Sequence, residues 1–308
     1  MKTRLGKLLP AFASVAIIAI AAVVLWRKLS GIDLSEVAAG FTAVHGSALL
    51  LAGLFTAAGL FAIAVYEVQM LRFLRPQAGW QRPFVTALIA FPIGHAVGLG
   101  AFSGGAIRYR IYSAAGYGAA DIGKLILLSV MPYGAALGLL AGLAMLAATV
   151  GTAQALHLTE LVVTMIGAGL IAMHVLYVGL VLGRVKPLGN WFPAFVLPSP
   201  RLTAIQYLLG VVEVLCAVAV LYVLLPPSAA IGFPAFVAVY VTAVAAGALS
   251  GVPAGLGVFE SILLVTLTGV PAESLLGAVL AYRLVYELLP FLIGLLLLLA
   301  YEAWSPRR

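Results

Sequence analysis

The run FVTALIAFPIGHAVGLGAFSGG, residues 84–105, decides how this chain is read. Its apolar character over 84–102 is that of a membrane segment, yet Pro92, Gly94, Gly98 and Gly100 interrupt it. It then breaks at Ser103, Gly104 and Gly105 before Arg108, Tyr109 and Arg110. Irregular backbone at membrane depth is tolerated only where protein buries it or where it lines a cavity. If 84–102 crossed fully, every later loop would change sides and Arg184, Lys186 and Arg201 would face outward. If it enters and returns, the basic loops 103–120 and 183–202 both face the cytoplasm, where Lys and Arg accumulate. The stretch therefore predicts a re-entrant helical hairpin. A second apolar run, 234–268, breaks in the same manner from Ser250 and Gly251 through Pro253, Gly255 and Gly257 to Phe259 and Glu260.

Working outward, 64% of the 308 residues are apolar and 9% charged, and the mean hydropathy is +1.17. Six further apolar windows, 8–28, 47–71, 121–150, 158–182, 203–225 and 272–300, are each long enough to cross about 30 Å of hydrocarbon. The first follows Lys2, Arg4 and Lys7 and ends at Trp26, Arg27 and Lys28 without a small-residue cleavage site, so it reads as a retained span. Residues 30–46 read as a short linker helix, with Asp33 and Glu36 placed after Ser30 as a helix start favours. Basic residues mark the N-terminus, the 72–83 loop (Arg72, Arg75, Arg82), the 183–202 loop and the C-terminal Arg307 and Arg308. The 151–157 and 226–233 loops have none. Both termini are thus expected in the cytoplasm, with Arg27 and Lys28 as the exceptions.

The predicted fold is all-α and polytopic: six full spans plus two re-entrant hairpins in one integral membrane domain, 1–308. Hairpin and long helix recur as 84–150 and 234–300, the hairpins opening from opposite faces. That is the pattern of an inverted-topology repeat, common in secondary transporters. Eight simple spans with glycine-rich kinks are the alternative. Pro132 and Pro290 are expected to kink the two long helices.

The formal charge of +7 does not point to nucleic acid, because most Lys and Arg flank apolar segments and meet headgroups there. Cys216 is the single cysteine, which excludes an intramolecular disulfide. His45, His95, His157 and His174 are scattered, and no spacing proposes a metal. No glycine-rich loop carries the lysine of a nucleotide site, so no cofactor is expected.

Glu67, Glu213, Glu260, Arg283 and Glu287 lie within or near the ends of apolar segments. A charge there costs at least about 2.5–3.5 kcal/mol on insertion scales, so it faces a cavity or a partner. Arg283 and Glu287 share a helix face and can neutralise each other. Arg283 reaching Glu260 or a lipid phosphate is the other reading. Glu260 follows the Gly255–Gly257 turn early in a helix, either as plain turn structure or as cavity lining. Arg108 and Arg110 after Ser103, Gly104 and Gly105 are either a forked phosphate clamp or a solvated interfacial pair. Glu67 and Glu213 are candidates for a polar path or for ion coupling, although Glu67 could instead snorkel or pair with Arg72.

The run from Ser103 to Ser113 resembles the transmembrane region of the lysylphosphatidylglycerol synthase/flippase family. So do Gly255–Glu260 and the set Ala281, Tyr282, Arg283, Leu284, Tyr286, Glu287, Leu289, Pro290 and Phe291. The resemblance covers most of the chain. It implies a lipid flippase of the bacterial cytoplasmic membrane. In bifunctional members this region moves aminoacylated phosphatidylglycerol made by a separate cytoplasmic domain. It also implies that Arg108, Arg110, Glu260, Arg283 and Glu287 line the lipid route, with Ser103, Gly104, Gly105, Gly255, Gly257 and Tyr282 around them. Two departures stand out: the chain stops at Trp304–Arg308 without a synthase domain, and Glu287 stands where members often carry a tyrosine.

The expected function is phospholipid translocation without chemistry, passive or ion-driven, with Glu260 or Glu213 as proton carrier. The expected partners are the membrane phospholipid and a separate lipid aminoacyl-transferase, and 33 glycines are compatible with a homodimer through small-residue faces. The alternatives are an ion-coupled small-solute transporter and a membrane subunit of a separate lipid-modifying enzyme. A lipid-modifying enzyme in its own right would need a nucleophile–base set that is not found.

Overall fold

A computed structural model of the chain describes residues 44–97, 100–184, 198–249 and 255–304. The expected first span 8–28, residues 30–43 of the expected linker, Lys186, Gly98, the turn residues Ser250–Pro253, and Arg307 and Arg308 lie outside the described residues.

All described regular structure is helical. Five helices are long and apolar enough to span a membrane: α1 (Gly46–Leu74), α4 (Ala119–Ala147), α6 (Glu160–Leu182), α7 (Pro200–Leu224) and the composite Ser274–Ala303. They coincide with five of the six expected spans. Their apolar residues run all round rather than in one stripe, as lipid-facing helices require. Exposed Leu161, Met165, Val175 and Leu176 make the outer face of α6 apolar, whereas Glu67, Arg108, Glu213 and Glu287 are buried inside. Local capping agrees with the sequence: Thr159 accepts from the Val162 N–H at the start of α6, and Ser199, followed by Pro200, accepts from Leu202 at the start of α7.

Between the long helices lie two short helical hairpins. The first pairs α2 (Gln81–Val97) with α3 (Gly100–Ala114). Ser103 Oγ donates to the Gly94 carbonyl at 3.3 Å, and Gly104 lies against the Ala90 carbonyl, so the arms run antiparallel. The second pairs α8 (Phe233–Leu249) with α9 (Val258–Thr266). Here Gly247 meets Gly255, and the Tyr240 and Phe259 rings lie 5.7 Å apart. Over the described residues the longest arms have 17 residues, about 25 Å at 1.5 Å per residue.

One expectation is corrected here. Ser103, Gly104 and Gly105 do not break the helix but lie inside α3, and the 103–120 loop shrinks to 115–118. The reason is close packing: a Cβ on Gly104 would sit 2.8 Å from the Ala90 carbonyl oxygen. Small residues let two helices touch backbone to backbone, which outweighs glycine's low helix propensity. Likewise the 151–157 loop contains a short helix, α5 (Thr149–Leu156).

The composite last span is α10 (Ala272–Tyr282), a π-helical segment Arg283–Leu288, and α11 (Leu289–Trp304). Pro290 accounts for the interruption. It has no N–H for the Tyr286 carbonyl, and the Leu289 N–H instead reaches back five residues to Leu284. Pro132, by contrast, sits within an unbroken α4.

The order long helix, hairpin, long helix occurs twice. Gly46 and Pro200, Gln81 and Phe233, Gly100 and Val258, and Ala119 and Ala272 begin matching elements. Each hairpin leans on the long helix of the other half. Gly294 of α11 packs on the Leu88 carbonyl of α2, and Phe236 and Val237 of α8 share a core with Leu140 and Ala144 of α4.

Candidate functional site

Two buried ion-pair nodes stand beside the hairpins. In the first, Arg108 of α3 faces Glu67 of α1. Its Nε donates to Glu67 Oε1 at 2.9 Å and Oε2 at 3.1 Å, and its Nη2 to Oε2 at 2.8 Å. The Tyr112 hydroxyl, one turn along α3, donates to Oε1 at 3.2 Å. Glu67 is fully buried, so it neither snorkels nor pairs with Arg72, whose Nε instead donates to the Ala78 carbonyl. Such forked pairing is the strongest geometry a guanidinium offers.

Arg110 turns elsewhere. Its Nη2 pairs with Glu302 of α11 at 2.9 Å, and its buried Nε has no partner. The two arginines thus engage different carboxylates rather than converging as one clamp. Tyr109 is exposed.

In the second node, Arg283 joins Glu260 and Glu287 at once. Its Nε donates to Glu260 Oε1 at 2.6 Å, its Nη2 also pairs with that oxygen, and its Nη1 lies 3.1 Å from Glu287 Oε1. Glu260 Oε2 accepts from the Gly257 N–H at 2.8 Å, closing the first turn of α9. Gly257 has φ of +81°, a conformation other residues rarely adopt. The carboxylate therefore caps a helix and neutralises a cation together. Arg283 also lies over the Phe259 ring, 5.9 Å from its centroid.

Aromatic rings continue from this node. Phe259 stacks on Tyr282 and Tyr282 on Tyr286, while the Tyr240 and Tyr282 hydroxyls are 2.7 Å apart. The π segment carries Arg283, Tyr286 and Glu287, so the widened turn is where the charged residues sit. A small cleft opens between α1, α2 and this segment, lined by Leu60, Ile63, Phe91, Pro92, His95, Tyr286, Glu287 and Pro290.

Glu213 of α7 is fully buried, and neither of its oxygens has a hydrogen-bond partner of normal geometry. The Tyr66 hydroxyl of α1 is the polar group turned toward it. Among the described residues no three His, Cys, Asp or Glu cluster as metal ligands.

Of the predicted charged residues, Glu67 and Arg108 form one node and Glu260, Arg283 and Glu287 the other, while Arg110 pairs apart with Glu302 and Glu213 stands by itself. Sequence reasoning missed Tyr66, Tyr112, Tyr240 and Glu302 as their partners. Only Tyr112 had a signal, standing four residues after Arg108 on the same face.

An apolar exterior around buried charge, with two short hairpins between long helices, defines a polytopic helical membrane protein. The chain belongs to the same family as the uncharacterized protein slr0712 of Synechocystis, with 32% identity over 267 residues, 82% of this chain and 81% of that protein. It is also similar to the phosphatidylglycerol lysyltransferases of Staphylococcus aureus. Identity is 25% over 309 residues in strain COL and 24% over 306 in strain MRSA252. Those matches cover 96% of this chain but only 34% of the lysyltransferases, so the chain spans about a third of their length. No protein-family model matches. Fold and relatives together make this a bacterial multi-pass membrane protein.

Proposed function

We propose that this protein translocates a phospholipid across the cytoplasmic membrane. The observation that carries the reading is the π segment. It carries Arg283 and sets Tyr286 and Glu287 in the lining of a small cleft shared with α2 of the first hairpin. The headgroup would travel between the two nodes while the acyl chains stay in lipid. Ser103, Gly104, Gly105, Gly255, Gly257 and Tyr282 would shape the backbone close to it, and Arg110 would act at the rim.

Charge conservation favours a headgroup with both signs. Each node is a cation already matched or exceeded by carboxylates, one at Arg108 and two at Arg283. A phosphate alone would displace a carboxylate and strand it in low dielectric, at a cost of several kcal/mol. A headgroup bearing phosphate and ammonium can take the arginine and the released carboxylate together. Aminoacylated phosphatidylglycerol has that chemistry, and the lysyltransferase relatives fit a separate enzyme supplying it.

The repeated element order supports two halves of inverted topology with re-entrant hairpins, so that rocking of one half on the other alternates access. Both termini would then be cytoplasmic. A homodimer is compatible with the apolar outer face of α6.

The test is translocation of labelled phospholipids, aminoacylated and plain, in liposomes holding the purified protein. Arg108→Ala and Glu260→Ala, each checked for folding, are the comparisons. Movement lost in both variants supports the route. Absence of movement of every lipid with folded wild-type protein sinks it, in favour of solute transport or a subunit role.

A further inference from the structure

Helix α7 carries a column of buried polar groups that the two nodes do not use. Thr203, Gln206, Gly210 and Glu213 are spaced by three, four and three residues, which places them on one face. Thr203, Gln206 and Glu213 are all buried. Thr203 Oγ1, Gln206 Nε2 and both Glu213 oxygens have no hydrogen-bond partner of normal geometry, although the Tyr177 hydroxyl of α6 is turned toward Thr203 and that of Tyr66 toward Glu213. Folded proteins pair the large majority of such groups, because an unsatisfied buried polar atom is costly. Imperfectly satisfied polar groups gathered in one column mark a place for a transferable proton.

Between Gln206 and Glu213 the column passes Gly210, where α7 and α4 touch backbone to backbone: a Cβ there would lie 2.5 Å from the Pro132 carbonyl oxygen. The column starts near the α7 N-terminal end, beside exposed Arg201, and runs from Thr203 to Glu213 over about 15 Å of helix. Beyond it the buried face is closed by Ala217, Val220, Leu221 and Leu224. The polar face of α7 therefore ends mid-helix at Glu213.

No packed element presents a free cation to Glu213 among the described residues. Tyr66 of α1 turns its hydroxyl toward it, with Glu67 and the already engaged Arg108 behind. Tyr133 of α4, Tyr240 of α8 and Tyr286 of the π segment lie within electrostatic reach, as does Cys216 on α7 itself. Tyr282 of α10 is bonded to Tyr240, and on α6 His174 packs on Tyr207 and lies 2.9 Å from the Ala135 carbonyl. Glu260, the other carboxyl considered for this role, is held by Arg283 and by the Gly257 N–H.

We propose that Glu213 is a proton-binding site reached from the α7 N-terminal end along Thr203 and Gln206, and that proton binding there drives the lipid step. The coupling part rests on the lipid-translocation reading; the proton site does not. The proton adds to one carboxylate oxygen and leaves from it, and no bond in the lipid changes. Its arrival removes a negative charge within reach of Tyr66 and Tyr286, next to both nodes.

The experiment has two arms on purified protein. Infrared difference spectra across a pH titration should show a carboxyl C=O band that Glu213→Gln abolishes in folded protein. Identical bands in both proteins overturn the site. In Gln206→Leu, deuterium exchange of that band should slow markedly, and unchanged exchange overturns the route. In liposomes, an imposed pH gradient should accelerate labelled-lipid movement in wild type, with the acceleration lost in Glu213→Gln. A response that survives in Glu213→Gln overturns the coupling. Wild type that moves no lipid while keeping the infrared band removes the lipid reading and the coupling with it, and leaves the proton site standing.

Discussion

Arg108 and Glu67, 41 positions apart on different helices, form a forked ion pair in which neither side chain is more than marginally exposed. Removing one partner leaves a buried charge uncompensated, which typically destabilises by about 3–5 kcal/mol. Arg108→Ala should therefore sharply lower the unfolding temperature in detergent. Arg108→Lys should rescue only part, since an ammonium cannot reproduce the fork. The double variant Glu67→Gln/Arg108→Gln should be more stable than either single one, which a double-mutant cycle by thermal melting would read directly. Additive single effects would mean that the pair is not coupled.

At the second node, Glu260 does two things and the substitutions separate them. Glu260→Gln keeps an oxygen for the Gly257 N–H but loses the charge facing Arg283. Glu260→Ala loses both. The alanine variant should melt below the glutamine variant by the worth of a helix cap, about 1 kcal/mol. Glu287→Gln leaves Arg283 with Glu260, so its stability loss should be smaller than that of Glu260→Ala. Equal melting of Glu260→Gln and Glu260→Ala would remove the capping role.

Gly104 should tolerate no side chain. Its Cβ would meet the Ala90 carbonyl at 2.8 Å, and backbone cannot step aside as a flexible side chain can. Overpacking of this kind costs roughly 1–3 kcal/mol. Gly134 is also helical but has nothing within 4 Å of the same position. Gly134→Ala should be neutral or slightly stabilising, given alanine's better helix propensity. Thermal melts of Gly104→Ala and Gly134→Ala side by side are the check.

Five long helices were legible because about twenty apolar residues in a row admit few other structures. The pairing of short helices was legible in outline, since Pro92 and the surrounding glycines sit inside an apolar run. Arg283 and Glu287 could be paired from their spacing alone. Glu67 and Arg108 could not, because which apolar helices touch is decided by packing that hydropathy does not record. The helical state of Ser103–Gly105 was hidden for a related reason. Three small polar residues read locally as a break, and only the facing Ala90 backbone turns them into a contact. The π segment needed the Pro290 hydrogen-bond deficit and the burial of Glu287 to be seen together.

The antiparallel arms make a direct prediction about sidedness. Gly79 and Gly118 flank the first hairpin, Ser228 and Thr268 the second, and all four are exposed. Cys216 is the only cysteine and is buried, so Cys216→Ala gives a clean background for single cysteines at these positions. If the halves are inverted, cysteines at 79 and 118 should react with a membrane-impermeant thiol reagent from one face, and those at 228 and 268 from the other. Positive-inside assigns the first pair to the cytoplasm, because Arg75 and Arg82 lie beside Gly79, while the 226–233 loop carries no basic residue. All four reacting from one face would rule out hairpins that open oppositely. Reaction of 79 and 118 from different faces would mean that the first hairpin crosses the membrane between them, and the rocking mechanism would lose its geometric basis.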